Sequence, residues 1–183
     1  MEMAGTRQIA AQRSVVWAAL NDPEVLKACI PGCKEMTRAE DGGFEALVVQ
    51  KVGPVSATFK GAVTLSDIVE GQSYRISGEG KGGAAGCAKG GADVMLTDAG
   101  DGTELTYAVD AHVGGKLAQL GSRIIDGFAR KMADQFFDRF QAAVEEPETV
   151  DAAETDDNET DDAGADAPGG EEKKKGWFRR MIG

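Results

Sequence analysis

One histidine, three cysteines and a dense run of glycines are the residues of this 183-residue chain with the plainest capacity for chemistry. His112 follows Asp110 by two positions, and a carboxylate that orients an imidazole is a common acid/base arrangement. Leu105, Tyr107 and Val109 occupy the opposite parity of the same segment, so both polar residues turn toward water and read as a surface pair. Cys29 and Cys33 flank Ile30-Pro31-Gly32, while Cys87 lies in the glycine run. A structural zinc site usually needs four ligands in tighter pairs, so small buried thiols are expected instead. Gly78-Glu79-Gly80-Lys81-Gly82-Gly83 formally satisfies G-x-G-x-x-G. A dinucleotide fingerprint needs a helix to follow it, and here a second glycine cluster and a strand pattern follow. No Ser/His/Asp order, paired-carboxylate motif or phosphate loop is found, so no metal and no catalytic constellation is expected.

The elements that would position these residues are read from hydrophobic period. From Lys116 to Val144, Leu117, Leu120, Ile124, Phe128, Met132, Phe136 and Phe140 recur every three or four positions, which predicts one long amphipathic helix. Before it, Val55 to Leu65 and Thr103 to Val113 alternate as half-buried strands do, with shorter patterns at Phe44–Val52, Tyr74–Gly80 and Ala92–Leu96 and an opening strand at Met3–Ala10. Asp41-Gly42-Gly43, Gly53-Pro54, Glu70-Gly71 and Gly100-Asp101-Gly102 supply turns. Ser14 can cap one short helix, and Asp22-Pro23 opens a second that Pro31-Gly32 ends. The expected order is strand, two short helices, six strands, one long helix. Short connections make the sheet antiparallel, and a curved sheet with the helix across its concave side buries both apolar faces.

Seven of the fourteen residues from Gly78 to Gly91 are glycine. They could serve a bent, bulged hairpin, or leave volume beneath the helix where a flat ligand approaches the backbone. Tyr74 and Ile76 share a face with Gly78, Gly80 and Gly82, so a strand that begins by filling the core ends by vacating it. Gly121 and Gly127 interrupt the helical stripe in the same way. An apolar cavity is therefore expected, lined by Phe59, Val63, Gly80, Gly82, Tyr107, Val109, Ile124, Phe128 and Met132, with Trp17, Leu26 and Ile30 near its mouth. Plain core packing is the competing account of each apolar residue. Tyr107 alone is given a polar tip to orient a ligand carbonyl.

Val16-Trp17-Ala18-Ala19-Leu20-Asn21-Asp22-Pro23-Glu24, Cys29-Ile30-Pro31-Gly32-Cys33, Lys51-Val52-Gly53-Pro54-Val55 and Gly80-Lys81-Gly82-Gly83-Ala84-Ala85-Gly86 resemble the carbon monoxide dehydrogenase G-subunit family. Lys89-Gly90-Gly91-Ala92-Asp93-Val94 and Val113-Gly114-Gly115-Lys116-Leu117-Ala118-Gln119-Leu120-Gly121 fit the same family, and the resemblance spans nearly all of residues 1–144. It implies an α+β helix-grip fold of the START and polyketide-cyclase superfamily: a curved antiparallel sheet of about seven strands wrapped around a long C-terminal helix, holding an apolar ligand. It also implies service to a molybdenum carbon monoxide dehydrogenase or a related hydroxylase. The superfamily includes carriers and enzymes, so fold alone does not decide function.

Charge divides the chain in three. Acidic residues number 18 against 15 basic ones over residues 1–144, 13 against none over 145–172, and none against 5 over 173–183. The middle segment has almost nothing apolar and is expected to be a solvated linker, with an end-to-end distance of about 30 Å before self-repulsion lengthens it. In the last segment a short helix would gather Trp177, Phe178, Met181 and Ile182 on one side and leave Lys173, Lys174, Lys175, Arg179 and Arg180 on the other. A membrane-surface anchor is expected, since each cation near an anionic leaflet contributes about 1 kcal/mol and aromatic insertion adds a second signal. A docking peptide for a partner groove is its rival, and a basic end that only neutralises the linker is the plainest account.

No stretch reaches the roughly 18 to 20 consecutive apolar residues of a spanning helix, and residues 1–20 lack a secretory pattern. A cytoplasmic protein, peripheral on the inner face of the membrane, is expected. An odd cysteine count gives no disulfide framework, and the near-neutral domain with its acidic linker argues against nucleic acid. The expectation is an accessory binding protein without catalysis of its own, carrying a lipophilic molecule such as menaquinone or ubiquinone and no covalently bound cofactor. A purely structural anchor or assembly factor, which needs no cavity, and a polyketide-cyclase-like enzyme, which needs polar groups inside it, are the alternatives.

Overall fold

The computed structural model describes residues 1–145. Strand β1 (Glu2–Ile9) is followed by helices α1 (Arg13–Leu20) and α2 (Pro23–Cys29). Six strands come next: β2 (Cys33–Arg38), β3 (Phe44–Val52), β4 (Val55–Val69), β5 (Ser73–Lys81), β6 (Cys87–Ala99) and β7 (Gly102–Gly114). Helix α3 (Ser122–Glu145) closes the described residues, and short 3₁₀ turns lie at Gly83–Ala85 and Ala118–Leu120. The strands form one antiparallel sheet in the order β1-β7-β6-β5-β4-β3-β2. The fold is thus α+β, with a curved seven-stranded sheet around a long helix.

The elements begin and end for local reasons. Asp22 accepts a hydrogen bond from the Glu24 amide at 2.9 Å and Pro23 occupies the first turn of α2, as expected of a capped helix start. Helix α1 departs from expectation, because its N-cap is Gln12 and no side chain caps it, leaving Ser14 inside the helix. Strand β2, which no alternation pattern announces, pairs with β3 at the sheet edge. Met36 is its only buried residue, so its sequence reads as polar.

The long helix is shorter than its periodicity predicts. Gly121 stands at φ +85° ahead of Ser122, a conformation that ends the 3₁₀ turn and lets the chain redirect before α3 starts. Leu117 is consequently not on the helix. It is 3% exposed, and its amide donates to the Ala85 carbonyl at 3.1 Å.

The core forms two separate clusters. One contains Ile9, Val16, Leu20, Tyr74, Leu96, Leu105, Tyr107, Phe137 and Phe140, and the other centres on Val52, Leu117 and Ile125. In the first, Tyr107 stacks on Phe137 with ring centroids 5.0 Å apart, and Phe136 stacks on Phe140 at 5.7 Å. Arg7, on the inward parity of β1, pairs with Asp134 of α3 and lies over the Phe137 ring, tying the helix to the sheet edge.

One glycine of the run is fixed by backbone geometry. Gly86 has φ +110° and ψ −153°, and a Cβ there would stand 2.0 Å from the Gly114 carbonyl oxygen. Gly86→Ala is therefore expected to lower stability by at least about 2 kcal/mol, read as a reduced urea midpoint at unchanged slope.

Candidate functional site

Between α3 and the sheet lies a cavity of about 690 Å³. Strand register defines its floor. Ala46, Gly61, Gly80 and Ala88 stand side by side on β3, β4, β5 and β6, so the middle of that row carries nothing larger than a methyl group, with Met36 on β2 and Val113 on β7 at its two ends. The adjacent row on the same face runs Phe44, Val63, Gly78, Gly90 and Ala111. A Cβ on Gly80 would meet nothing within 4 Å, and one on Gly61 only carbonyl oxygens at 3.8 and 3.9 Å. These two glycines widen the cavity. Gly78 differs, because a Cβ there would press on Val63 and on the Ala62 carbonyl oxygen at 2.3 Å.

The roof is the inner stripe of α3: Ile125, Phe128, Ala129, Met132, Ala133 and Phe136. Both core clusters contribute walls, the first through Tyr74, Val94, Leu105 and Tyr107 and the second through Val52 and Leu117. Leu26, Ile30 and Pro31 border it from α2 and the segment that follows.

Of the residues expected to line a cavity, Leu26, Ile30, Phe59, Val63, Gly80, Tyr107, Val109, Phe128 and Met132 all border this one. Three do not. Ile124 is 42% exposed, and its neighbour Ile125, at 9%, takes the inward position. Phasing the stripe from Leu117 as a helical residue turns Ile124 inward, but α3 starts only at Ser122. Trp17 packs edge-on against Tyr74, with centroids 5.4 Å apart, instead of reaching the cavity. Gly82 lies under the Phe59 ring, whose Cε1 would be 2.4 Å from its Cβ, so that glycine accommodates an aromatic wall. The basic aromatic segment Lys173–Ile182 lies outside the described residues.

Tyr107 is also oriented differently from expectation. Its ring crosses Gly5 on β1, where a Cβ would stand 2.5 Å from the phenolic oxygen, and its hydroxyl lies near Arg7, whose guanidinium is pushed up chiefly by Asp134 and to a lesser degree by Tyr107. Tyr74 reads in the sequence only as a core residue. It lies one strand beyond Val94 in the same row, is 5% exposed, and borders the cavity.

His112 is exposed opposite Lys89, and the Asp110 carboxylate accepts from Arg75 at 2.9 Å. Arg75 also donates to Asp93 at 2.7 Å, so Asp110 is engaged by a cation on the outer face of the sheet. Burial pushes the Cys29 thiol up, with Arg139 opposing it, and Cys33 donates from Sγ to the Glu35 carbonyl at 3.3 Å. Cys87 is exposed, contrary to the expectation of three buried thiols. Among the described residues no group of three or more His, Cys, Asp or Glu side chains could hold a metal ion, and no helix is long and apolar enough to cross a membrane. Glycines 78, 80, 82 and 83 run from a strand into a three-residue turn, without the helix that a dinucleotide site requires.

An apolar chamber gripped between a curved antiparallel sheet and the long helix α3 defines a START-like fold. Solved structures share it. A conserved protein from Geobacillus kaustophilus is 29% identical with a TM-score of 0.73, the match covering 79% of this chain and 95% of that one. A START superfamily protein from Mycobacterium smegmatis, 18% identical, aligns over 79% of this chain and 97% of its own with a TM-score of 0.58. A Rhizobium leguminosarum protein at 14% identity gives 0.62 over 79% and 94%. No curated protein matches the chain. Residues 5–145 match the family model of the carbon monoxide dehydrogenase G-subunit (CoxG), and the chain belongs to that family. Family and fold together suggest a ligand-binding accessory protein.

The open space above Gly80 allows a direct perturbation. Gly80→Leu is expected to fold with unchanged or raised stability while weakening binding of an apolar fluorescent probe by tenfold or more. Thermal melting and probe titration of the same preparation measure the two effects.

Proposed function

We propose that this protein carries a lipophilic molecule between the membrane and a molybdenum carbon monoxide dehydrogenase or related hydroxylase, and recruits that enzyme to the membrane. The observation that carries the reading is the cavity: about 690 Å³, walled by apolar side chains and floored by glycine and alanine. The family's name supports the choice of partner. The proposed cargo is a quinone, menaquinone or ubiquinone. It would accept two electrons and two protons from the partner's oxidation of its substrate and leave as quinol.

In this reading residues 173–183 attach reversibly to the anionic inner face of the cell membrane, and the acidic residues 145–172 hold the domain off the lipid. A purely structural anchor would need the tail but not the chamber. A cyclase-like enzyme would need several polar groups within the chamber, whereas Asp110, Lys89 and His112 engage or face the outer side of the sheet.

Protein purified from cells with native membranes should release a quinone on organic extraction, detected by mass spectrometry at a substantial molar fraction. Extracts carrying no lipophilic molecule would overturn carriage. Separately, the full chain should float with anionic liposomes at low salt and lose that behaviour when residues 173–183 are removed or salt is raised. Equal flotation of the truncated form would sink the anchor.

A further inference from the structure

We propose that the Tyr74 hydroxyl is the polar anchor of the cavity, donating a hydrogen bond to a neutral carbonyl-type acceptor on the apolar molecule held there. This rests on reading the cavity as a ligand site and names the chemistry of recognition within it.

Tyr74 is 5% exposed and lines the chamber, and its ring is fixed edge-on against Trp17. Among the described residues its hydroxyl makes no hydrogen bond, whereas buried hydroxyls ordinarily find a partner. No side-chain oxygen or nitrogen among those residues is sealed away without a partner, so the hydroxyl keeps some accessible surface. A phenylalanine would fill the same volume without desolvating a polar group. Burial pushes the phenol upward from its ordinary value, so it holds its proton through the physiological range and acts as a donor.

The Tyr107 hydroxyl also makes no hydrogen bond among the described residues, but it lies over Gly5 and beside Arg7. The other polar groups bordering the chamber are committed elsewhere: Gln50 donates from its amide to the Pro31 carbonyl, and Asp110 accepts from Arg75. Glu79 pairs with Lys81 at 2.8 Å, and Lys89 is exposed. Of the cations bordering the chamber, Lys89 is exposed and the Met1 ammonium donates to the Ala111 carbonyl at 2.8 Å, so a neutral ketone, quinone or ester carbonyl fits beside Tyr74 better than an ionised acid does.

The test compares menadione, which has carbonyl acceptors, with 2-methylnaphthalene, which has the same ring shape and none. Each is measured by equilibrium dialysis against the full chain and its Tyr74→Phe variant. The variant should bind menadione about three- to tenfold more weakly, the range of one neutral hydrogen bond, and 2-methylnaphthalene unchanged. Its melting temperature should equal or exceed that of the parent. Equal menadione affinity in both proteins would overturn the anchor while leaving the cavity as a ligand site. Equal weakening toward both probes, or a markedly lower melting temperature, would make Tyr74 a packing residue and overturn it as well. Failure of the parent chain to bind either probe would remove the ligand site itself, and the anchor with it.

Discussion

Two packed pillars keep α3 at its distance from the sheet. At one end Phe140, wholly buried, and the stacked pair Tyr107 and Phe137 fill the space between helix and strands; at the other Leu117, Val52 and Ile125 do so. Between them the sheet presents Gly61 and Gly80 flanked by alanines, and nothing rises to meet the helix. A sealed void of this volume would cost on the order of 15 kcal/mol at about 24 cal/mol per Å³, comparable to the entire net stability of a domain. Space on that scale is not imperfect packing. It is a chamber that solvent or a ligand occupies, and the pillars exist to hold it open.

Placement of polar residues follows from the same division. The concave face is largely apolar, with Tyr74 and Tyr107 in one row and with Arg7, Gln50 and Thr103 paired to Asp134, Pro31 and Ala11, while the convex face carries Arg75 between Asp93 and Asp110, with Glu79, Lys81, Lys89 and His112 nearby. Burying charge in the chamber would demand a partner for each ion, so an apolar interior suits uncharged cargo. Binding can then be governed by shape and by a single hydrogen bond. That suits a carrier, which must release what it takes up.

Much of this is legible in the sequence because turn signals and the period of two are local. Asp41-Gly42-Gly43, Gly53-Pro54 and Gly100-Asp101-Gly102 mark real strand joins, and the parity of Tyr74, Ile76, Gly78 and Gly80 identifies the face that empties. What escapes depends on longer-range facts. The change of direction at Gly121 moves the start of α3 and shifts the inward position from Ile124 to Ile125. Gly82 shares strand parity with Gly80, yet it lies in a turn beneath Phe59, a contact only tertiary structure creates. Tyr74 and Tyr107 have the same parity and the same row. Gly5 and Arg7, far off in sequence but paired with β7, take up the Tyr107 hydroxyl, and nothing comparable stands against Tyr74.

Methionine methyl groups offer the most direct view of whether the chamber is the binding site. Met1, Met3, Met36 and Met132 border it, whereas Met95 is 55% exposed on β6 and does not. Titrating methyl-labelled full chain with an apolar carbonyl compound such as menadione should shift the four chamber methionines saturably, in parallel, and leave Met95 in place. Shifts confined to Met95, or no saturable change at the chamber methionines, would contradict the account.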